Sequence, residues 1–208
     1  TVSVVIVNFN AGPLLARCLS SLEQQRWRDF EVIVVDNASR DDSLPAAARL
    51  PWVQIIRSKT NLGFAAGQNL GMQAARGRYL MPLNFDIQLL PDTIWHMVCA
   101  MERYPRVGTV SGKLLRMSLD GQKSSEIDNA GLLLSRRRMP KHRGGGEHDH
   151  GQYDQQALVF GAMGALALYR REMLDEIAID GKYFDESFFT WYEDIDLDWR
   201  GRLQGWDC

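Results

Sequence analysis

Val2-Ser3-Val4-Val5-Ile6-Val7-Asn8-Phe9-Asn10 opens the chain, a β-branched apolar run that ends abruptly in polar residues. Such a run is expected of a strand buried on both faces, as in a parallel sheet. Phe30 to Val35 repeats the pattern and stops at Asp36. Between the two, Leu14, Leu15, Cys18, Leu19 and Leu22 recur at helical spacing within Leu14 to Gln24. A helix over Ser43 to Leu50, a strand over Val53 to Ile56, a helix from about Ala65 to Ala75 and a strand over Tyr79 to Leu83 continue the alternation. Strands alternating with helices imply right-handed crossovers and a parallel sheet, an α/β fold. Ligands of such sheets sit at the carboxyl ends of the strands. Asn8, Asp36 and the Asn84-Phe85-Asp86 turn fall there.

The second half is less regular. A helix from Asp92 to Tyr104 and a strand over Val107 to Val110 lead into a polar stretch from Arg116 to Gln156, with Gly144-Gly145-Gly146 at its centre. It reads as one long loop, mobile and lid-like from about Met139 to Gln152. Apolar sequence rich in small residues resumes over Ala157 to Tyr169, followed by a helix around Arg171 to Ile177. Then comes Phe188-Phe189-Thr190-Trp191-Tyr192-Glu193-Asp194-Ile195-Asp196-Leu197-Asp198-Trp199-Arg200, aromatics followed by acids that open a helix. Carboxylates suit a first helical turn, but four acids in six residues exceed what capping needs. An apolar rim also tunes a carboxylate for general-base work.

At 208 residues, 45 % hydrophobic and 24 % charged, the chain suits one soluble domain with a real core. Its net charge of -2 gives no overall attraction to nucleic acid. The local exception is Arg136-Arg137-Arg138 with Lys141, His142 and Arg143, a cluster suited to phosphates or simply to a solvated loop. Three cysteines without paired spacing, no signal peptide and no membrane-length apolar run point to the cytoplasm. The end at Gly205-Trp206-Asp207-Cys208, just after a helix, suggests C-terminal truncation. Nothing specifies an oligomeric state.

Asp36, at the tip of a buried strand, either accepts a hydrogen bond from a ribose hydroxyl or base N–H, or forms a turn. The first turn lacks G-x-G-x-x-G, which excludes a dinucleotide dehydrogenase, and no P-loop occurs. Asn84 and Asp86 alternate at the next tip, suited to a hard cation that also holds phosphate oxygens, or to a plain turn. Asn61 to Asn69 places a tight turn and small residues at a helix N-terminus, whose free N–H groups could face an anion or sugar hydroxyl. His148-Asp149-His150 has ligand-like spacing but sits in the glycine-rich loop, where a surface polar role is favoured over a metal.

Five segments in this order resemble bacterial family 2 glycosyltransferases of the GT-A fold, near their rhamnosyltransferase-like branch. They are Val4 to Asn10, Val34 to Ser39, Asn61 to Ala65, Leu83 to Asp86 and Trp191 to Arg200. The resemblance implies a Rossmann-like nucleotide-binding half (1–90) with a mostly parallel sheet and a smaller acceptor and catalytic half (91–208), in a single domain. It implies nucleotide contacts at Asn8, Asn10, Asp36, Asn37, Asn61, Gly63, Phe64, Asn69 and Asn84, with Asp36 reading the pyrimidine of a UDP- or dTDP-sugar. Asp86 would hold Mg²⁺ or Mn²⁺, and Phe188 and Trp191 would line the acceptor side. Asp194, or its neighbour Glu193, would be the catalytic base of an inverting transfer.

Two departures are plain: Asn84 replaces the first carboxylate of the family's DxD-type motif, and Phe85 stands where the branch often has proline. The family commonly continues past the equivalent of Gly205-Trp206 with a strand and a histidine near the metal. The implied acceptor is a glycan or lipid-linked sugar at the inner face of the cytoplasmic membrane, which would make the protein a peripheral membrane partner. The rival reading is a non-catalytic nucleotide-sugar or glycan-binding module on the same fold. An intact Glu193-Asp194 pair argues against it, because a pure binder needs no base.

Overall fold

The computed structural model describes residues 1–118 and 120–208. Its first half follows the alternation read from the sequence: β1 (Val2–Asn8), α1 (Pro13–Glu23), β2 (Phe30–Asp36), α2 (Ser43–Ala48), β3 (Val53–Arg57), α3 (Gly63–Ala74) and β4 (Tyr79–Pro82). Then follow α4 (Thr93–Arg103), β5 (Thr109–Ser111), β6 (Leu114–Met117), β7 (Lys123–Asn129), β8 (Leu132–Leu134), β9 (Pro140–His142), β10 (Ala167–Arg170), α5 (Arg171–Ile177) and α6 (Glu193–Leu203).

The main sheet runs β3-β2-β1-β4-β10-β5. β3, β2, β1 and β4 are parallel, and β10 runs antiparallel to both its neighbours. Both halves of the chain therefore contribute to one sheet. Register sets Asn8 opposite Asp36, and Asp36 opposite Arg57, so the polar strand tips form one edge.

Period-two alternation explains the two cores. Val4, Ile6, Val32, Val34 and Met81 pack to one face with Leu15, Leu19, Ile94 and Met97 of α1 and α4. Val5, Ile33, Val35 and Leu80 pack to the other with Met72, Met173 and Leu197 of α3, α5 and α6. Fully burying each large side chain contributes about 1.5–3 kcal/mol. Close approach of α3 to the sheet requires Gly71, where an added Cβ would lie 2.3 Å from Val5 Cγ1.

The segment from Arg116 to Gln156 is not a single loop. β6 and β7 pair as an antiparallel ladder, and β8 and β9 as a second. The glycines fold back against β7: Gly146 N–H donates to Ile127 O at 2.9 Å and Asp149 N–H to Ser125 O at 2.7 Å. Lys113 Nζ binds both Asp149 oxygens at 3.0 and 2.9 Å, tying this stretch to the end of β5. The lid reading is therefore corrected to paired backbone, because β7 is polar apart from Ile127 and carries no apolar run to reveal it. His150 Nδ1 lies 3.1 Å from His148 O, a contact within the loop itself. Among the described residues no group of three or more His, Cys, Asp and Glu is arranged to hold a metal, and no helix is long and apolar enough to cross a membrane.

Candidate active site

The edge formed by β1 and β2 is a buried polar cluster. Asn8 Nδ2 lies 3.0 Å from each of Asp36 Oδ1, Ser39 Oγ and Ser43 Oγ, and Asn8 Oδ1 is buried without a partner. Asn37 Nδ2 donates to Gly63 O at 2.9 Å and reaches Asn61 Oδ1 at 3.3 Å, while its Oδ1 is likewise buried and unpartnered. Native buried polar atoms rarely stay unpaired, so these two oxygens mark places where a ligand donor would be welcome. Asp36 is nearly buried and uses one oxygen on Asn8. Asn10, at φ 50°, accepts Arg40 N–H at 2.8 Å and is exposed. Ser39 and Ser43 were not singled out from sequence; their hydroxyls simply follow Asp36 at turn spacing.

Asn61 and Gly63 form the turn into α3, with Asn61 Oδ1 accepting Gly63 N–H at 2.9 Å. The expected free N–H groups of this helix are occupied. Phe189 O accepts Phe64 N–H at 2.7 Å and Ala65 N–H at 3.2 Å. The anion-site reading of this N-terminus is thereby corrected: a carbonyl from the aromatic segment satisfies those donors. Asn69 is also spent internally. Its amide donates to Phe184 O at 2.8 Å and Glu186 Oε1 at 3.1 Å, and its oxygen accepts from Tyr183 N at 3.2 Å and Phe184 N at 2.9 Å. It anchors the 183–186 chain and has no hydrogen-bonding position left for a nucleotide.

That anchoring leads into a strained turn. Phe189 has φ 57° and ψ -61°, and Thr190 N–H donates to Phe188 O at 2.5 Å. This is a γ-turn of the rare positive-φ form. Trp191 (φ 78°) and Tyr192 (φ 71°) follow in the left-handed region, the latter immediately before α6. Left-handed non-glycine residues cost of order 1–3 kcal/mol each and gather at functional sites. Phe188, Phe189, Trp191 and Tyr192 are all exposed, Trp191 by 78 %.

Asn84-Phe85-Asp86 closes into a turn in which Ile87 N–H donates to Asn84 O at 3.2 Å, so Asn84 and Asp86 do not alternate along an extended tip. Asp86 is exposed as a residue, yet its surroundings desolvate the carboxyl and raise its pKa, with the Asp128 charge adding to the effect. An uncompensated acid beside a second acid is a fit for a divalent cation that also takes phosphate oxygens and water. A groove of about 1660 Å³ begins at Asn84 and Asp86 and passes Lys113, Arg116 and Asp128 toward Leu158.

The first turn of α6 grips the glycine-rich chain before β10. Asp194 Oδ2 accepts Gly164 N–H at 2.9 Å and Oδ1 accepts Ile195 N–H at 2.8 Å. One turn later, Asp198 Oδ2 accepts Ala162 N–H at 2.7 Å and Oδ1 accepts the Thr109 hydroxyl at 3.0 Å. Asp198 is buried and its carboxyl is pushed well up by burial, which fits a structural clamp. Burial also raises Asp194, partly offset by its amide donors and by nearby His142. Glu193 differs: it is buried, its Oε2 has no partner, and burial followed by the Asp194 charge raises its pKa to about 7. Asp196 is engaged elsewhere, with Arg200 Nε at 2.9 Å.

Consecutive residues join these parts. Gly164 N–H meets Asp194, and Ala165 O accepts Asn84 N–H at 2.9 Å. A Cβ at Gly164 would touch the Phe64 ring at 3.4 Å and Asp194 Cβ at 3.5 Å. The turn of Asp86, the start of α3 and the acid pair thus converge on one small-residue strip.

A family profile decides what this convergence belongs to: glycosyl transferase family 2 matches residues 3–178. The chain belongs to glycosyl transferase family 2. The transferase is 30 % identical over 232 aligned residues to an N-acetylglucosaminyl-diphospho-decaprenol L-rhamnosyltransferase of Mycobacterium tuberculosis, covering 98 % of this chain and 71 % of that protein. Among solved structures, a mannosyltransferase from Pyrobaculum calidifontis with GDP-mannose and Mn²⁺ superposes with TM-score 0.69 at 20 % identity, over 99 % of this chain and 52 % of that one. TarS 1-349 of S. aureus in complex with UDP gives 0.69 at 19 % identity, over 98 % and 55 %. The transferase therefore has the fold of these nucleotide-sugar enzymes and spans about half the length of the solved chains. The profile match ends before α6, so the role of Glu193 and Asp194 rests on the geometry above.

Proposed function

We propose that the transferase moves a sugar from a UDP- or dTDP-sugar to a hydroxyl of a glycan or lipid-linked acceptor, with inversion at the anomeric carbon. The observation that carries this reading is the junction at Gly164 and Ala165, which holds the Glu193-Asp194 pair beside the turn of Asp86. Asp36 accepts a hydrogen bond from the base, with the free oxygens of Asn8 and Asn37 beside it. Asn84 lies on the diphosphate side. A divalent cation, Mg²⁺ or Mn²⁺, would be held by Asp86 and would neutralise the diphosphate when bound. Asp194 takes the proton of the acceptor hydroxyl as that oxygen attacks the anomeric carbon and the bond to the diphosphate breaks. Phe188 and Trp191 offer exposed aromatic faces for the acceptor sugar.

Support for the substrate class comes from the mycobacterial relative, named for a diphospho-decaprenol acceptor, and from neighbours bound to GDP-mannose and UDP. In this reading the transferase works at the inner face of the cytoplasmic membrane, where a lipid-linked acceptor would be presented. A second assignment of the base has its own observation: Glu193 Oε2 is unpartnered and its carboxyl titrates near 7, whereas both Asp194 oxygens accept backbone amides. Glu193 is then the base and Asp194 the clamp that positions it. Transfer assays with pyrimidine-diphosphate sugars test the whole reading; wild-type protein that binds such donors and transfers from none of them is a binding module instead.

A further inference from the structure

The β8–β9 hairpin carries charge of one sign only. From Asn129 to Gly146 there is no Asp or Glu, while Arg136, Arg137, Arg138, Lys141 and Arg143 fall within the span. This stands against a net charge of -2 for the whole chain. The tip is a defined turn, with Arg138 N–H donating to Ser135 O at 2.8 Å and Ser135 N–H to Met139 O at 2.9 Å. Arg136, Arg137, Arg138 and Lys141 are exposed, and among the described residues their side chains form no ion pair or hydrogen bond. Arg143 is the exception, stacked 4.4 Å above the Tyr153 ring. Exposed apolar side chains sit among the cations: Met139 is 56 % and Leu133 42 % accessible.

The hairpin is fastened to the catalytic end. Leu132 N–H donates to Gly161 O and Phe160 N–H to Leu132 O, both at 2.8 Å. Ala162 and Gly164, just beyond, are the residues held by Asp198 and Asp194. His142, opposite Leu132 in the ladder, is close enough to act on the Asp194 carboxylate. The exposed Trp191 and Tyr192 precede that carboxylate directly. Unpaired cations with interspersed apolar and aromatic side chains are the makeup of a surface that rests on anionic lipid.

We propose that the β8–β9 hairpin is a docking foot for the surface of an anionic phospholipid bilayer, set so that docking brings the α6 acid pair to the headgroup level. Charge complementarity favours this occupant: four free cations on one hairpin meet many phosphates at once on a bilayer, and only one or two on a soluble ligand. Docking needs no substrate, so its test is independent of the transfer reaction.

The experiment is co-sedimentation of the intact chain with vesicles of phosphatidylcholine alone or mixed with phosphatidylglycerol. Binding is expected to the anionic vesicles, at least about 10-fold over the neutral ones, and to vanish by about 0.5 M salt. Arg136→Gln/Arg137→Gln/Arg138→Gln/Lys141→Gln is expected to lose at least about 10-fold in partition with an unchanged melting temperature. Should that variant unfold, Arg136→Glu/Arg137→Glu serves for the same comparison. Equal partition onto neutral and anionic vesicles, no partition at all, or full binding by the folded variants overturns the proposal. So does loss of vesicle binding to millimolar inorganic diphosphate at constant ionic strength, which assigns the cluster to a soluble phosphate.

Discussion

Phe189 O caps α3 by accepting the Phe64 amide at 2.7 Å, so the turn preceding the acid pair is bonded to the turn that follows Asn61. Asn37 reaches the same place through Gly63 O at 2.9 Å. The polar edge at Asn37 and the segment leading into α6 are therefore linked through two residues of α3. Gly63 permits this: it sits at φ 79°, and a Cβ there would lie 2.6 Å from both Phe189 Cδ2 and Phe189 O. Gly63→Ala should destabilise the fold by about 1–3 kcal/mol in urea unfolding and lower transfer more than donor affinity. Phe189→Gly keeps the carbonyl and relieves the positive φ, and should stay within about 1 kcal/mol of the parent.

Nucleotide recognition at Asp36 is tested by calorimetry. Asp36→Ala should weaken UDP or dTDP binding by about 1.5–3 kcal/mol, the range for a hydrogen bond to a charged group. Unchanged affinity in a folded variant would leave Asp36 as the partner of Asn8 alone.

Metal removal addresses Asp86. Nucleoside diphosphate should bind more tightly with Mn²⁺ or Mg²⁺ than in EDTA, and Asp86→Ala should erase that gain. The raised pKa of Asp86 adds a pH signature: protons compete for the carboxylate, so the metal-dependent gain should fade as pH drops toward the carboxylate range.

Glu193 makes stability pH-dependent in an unusual direction. Its folded pKa, about 7, lies above the ordinary glutamate value of 4.5, so the native state binds the proton more tightly than the unfolded chain. Between these values the folded state holds more protons, and stability falls as pH rises. The loss is complete about one unit above 7 and amounts to about 3 kcal/mol. Glu193→Gln should flatten that part of the urea-midpoint profile between pH 5 and 7.5.

Much of this architecture was legible in the sequence, for physical reasons. Val4 to Ile6 and Val32 to Val35 are buried on both faces, so their apolar runs are unmistakable and their polar ends locate Asn8 and Asp36. The strands of the 116–156 region escaped because they carry no such signature. β7 begins with exposed and half-buried polar residues and has one apolar side chain, Ile127, and its turn to β8 depends on Asn129 Oδ1 accepting Gly131 N–H, a contact no periodicity shows. The roles of Gly164 and Ala165 were also hidden. Their small side chains were visible, but their partners lie 30 residues away in α6 and 81 away at Asn84. Asn69 illustrates the converse: a polar residue near a ligand-like turn that tertiary structure uses wholly for the 183–186 chain.

The most direct test of the account is the kinetics of the acid pair. A catalytic base acts in the transition state and adds little to donor affinity, so its loss appears in kcat. Transfer rates and donor affinities should be measured for Asp194→Asn and Glu193→Gln. The account predicts that nucleotide affinity stays within a few-fold for both, while at least one loses about 10²-fold or more in kcat. The larger loss identifies the base. Full transfer activity in both variants would contradict the account.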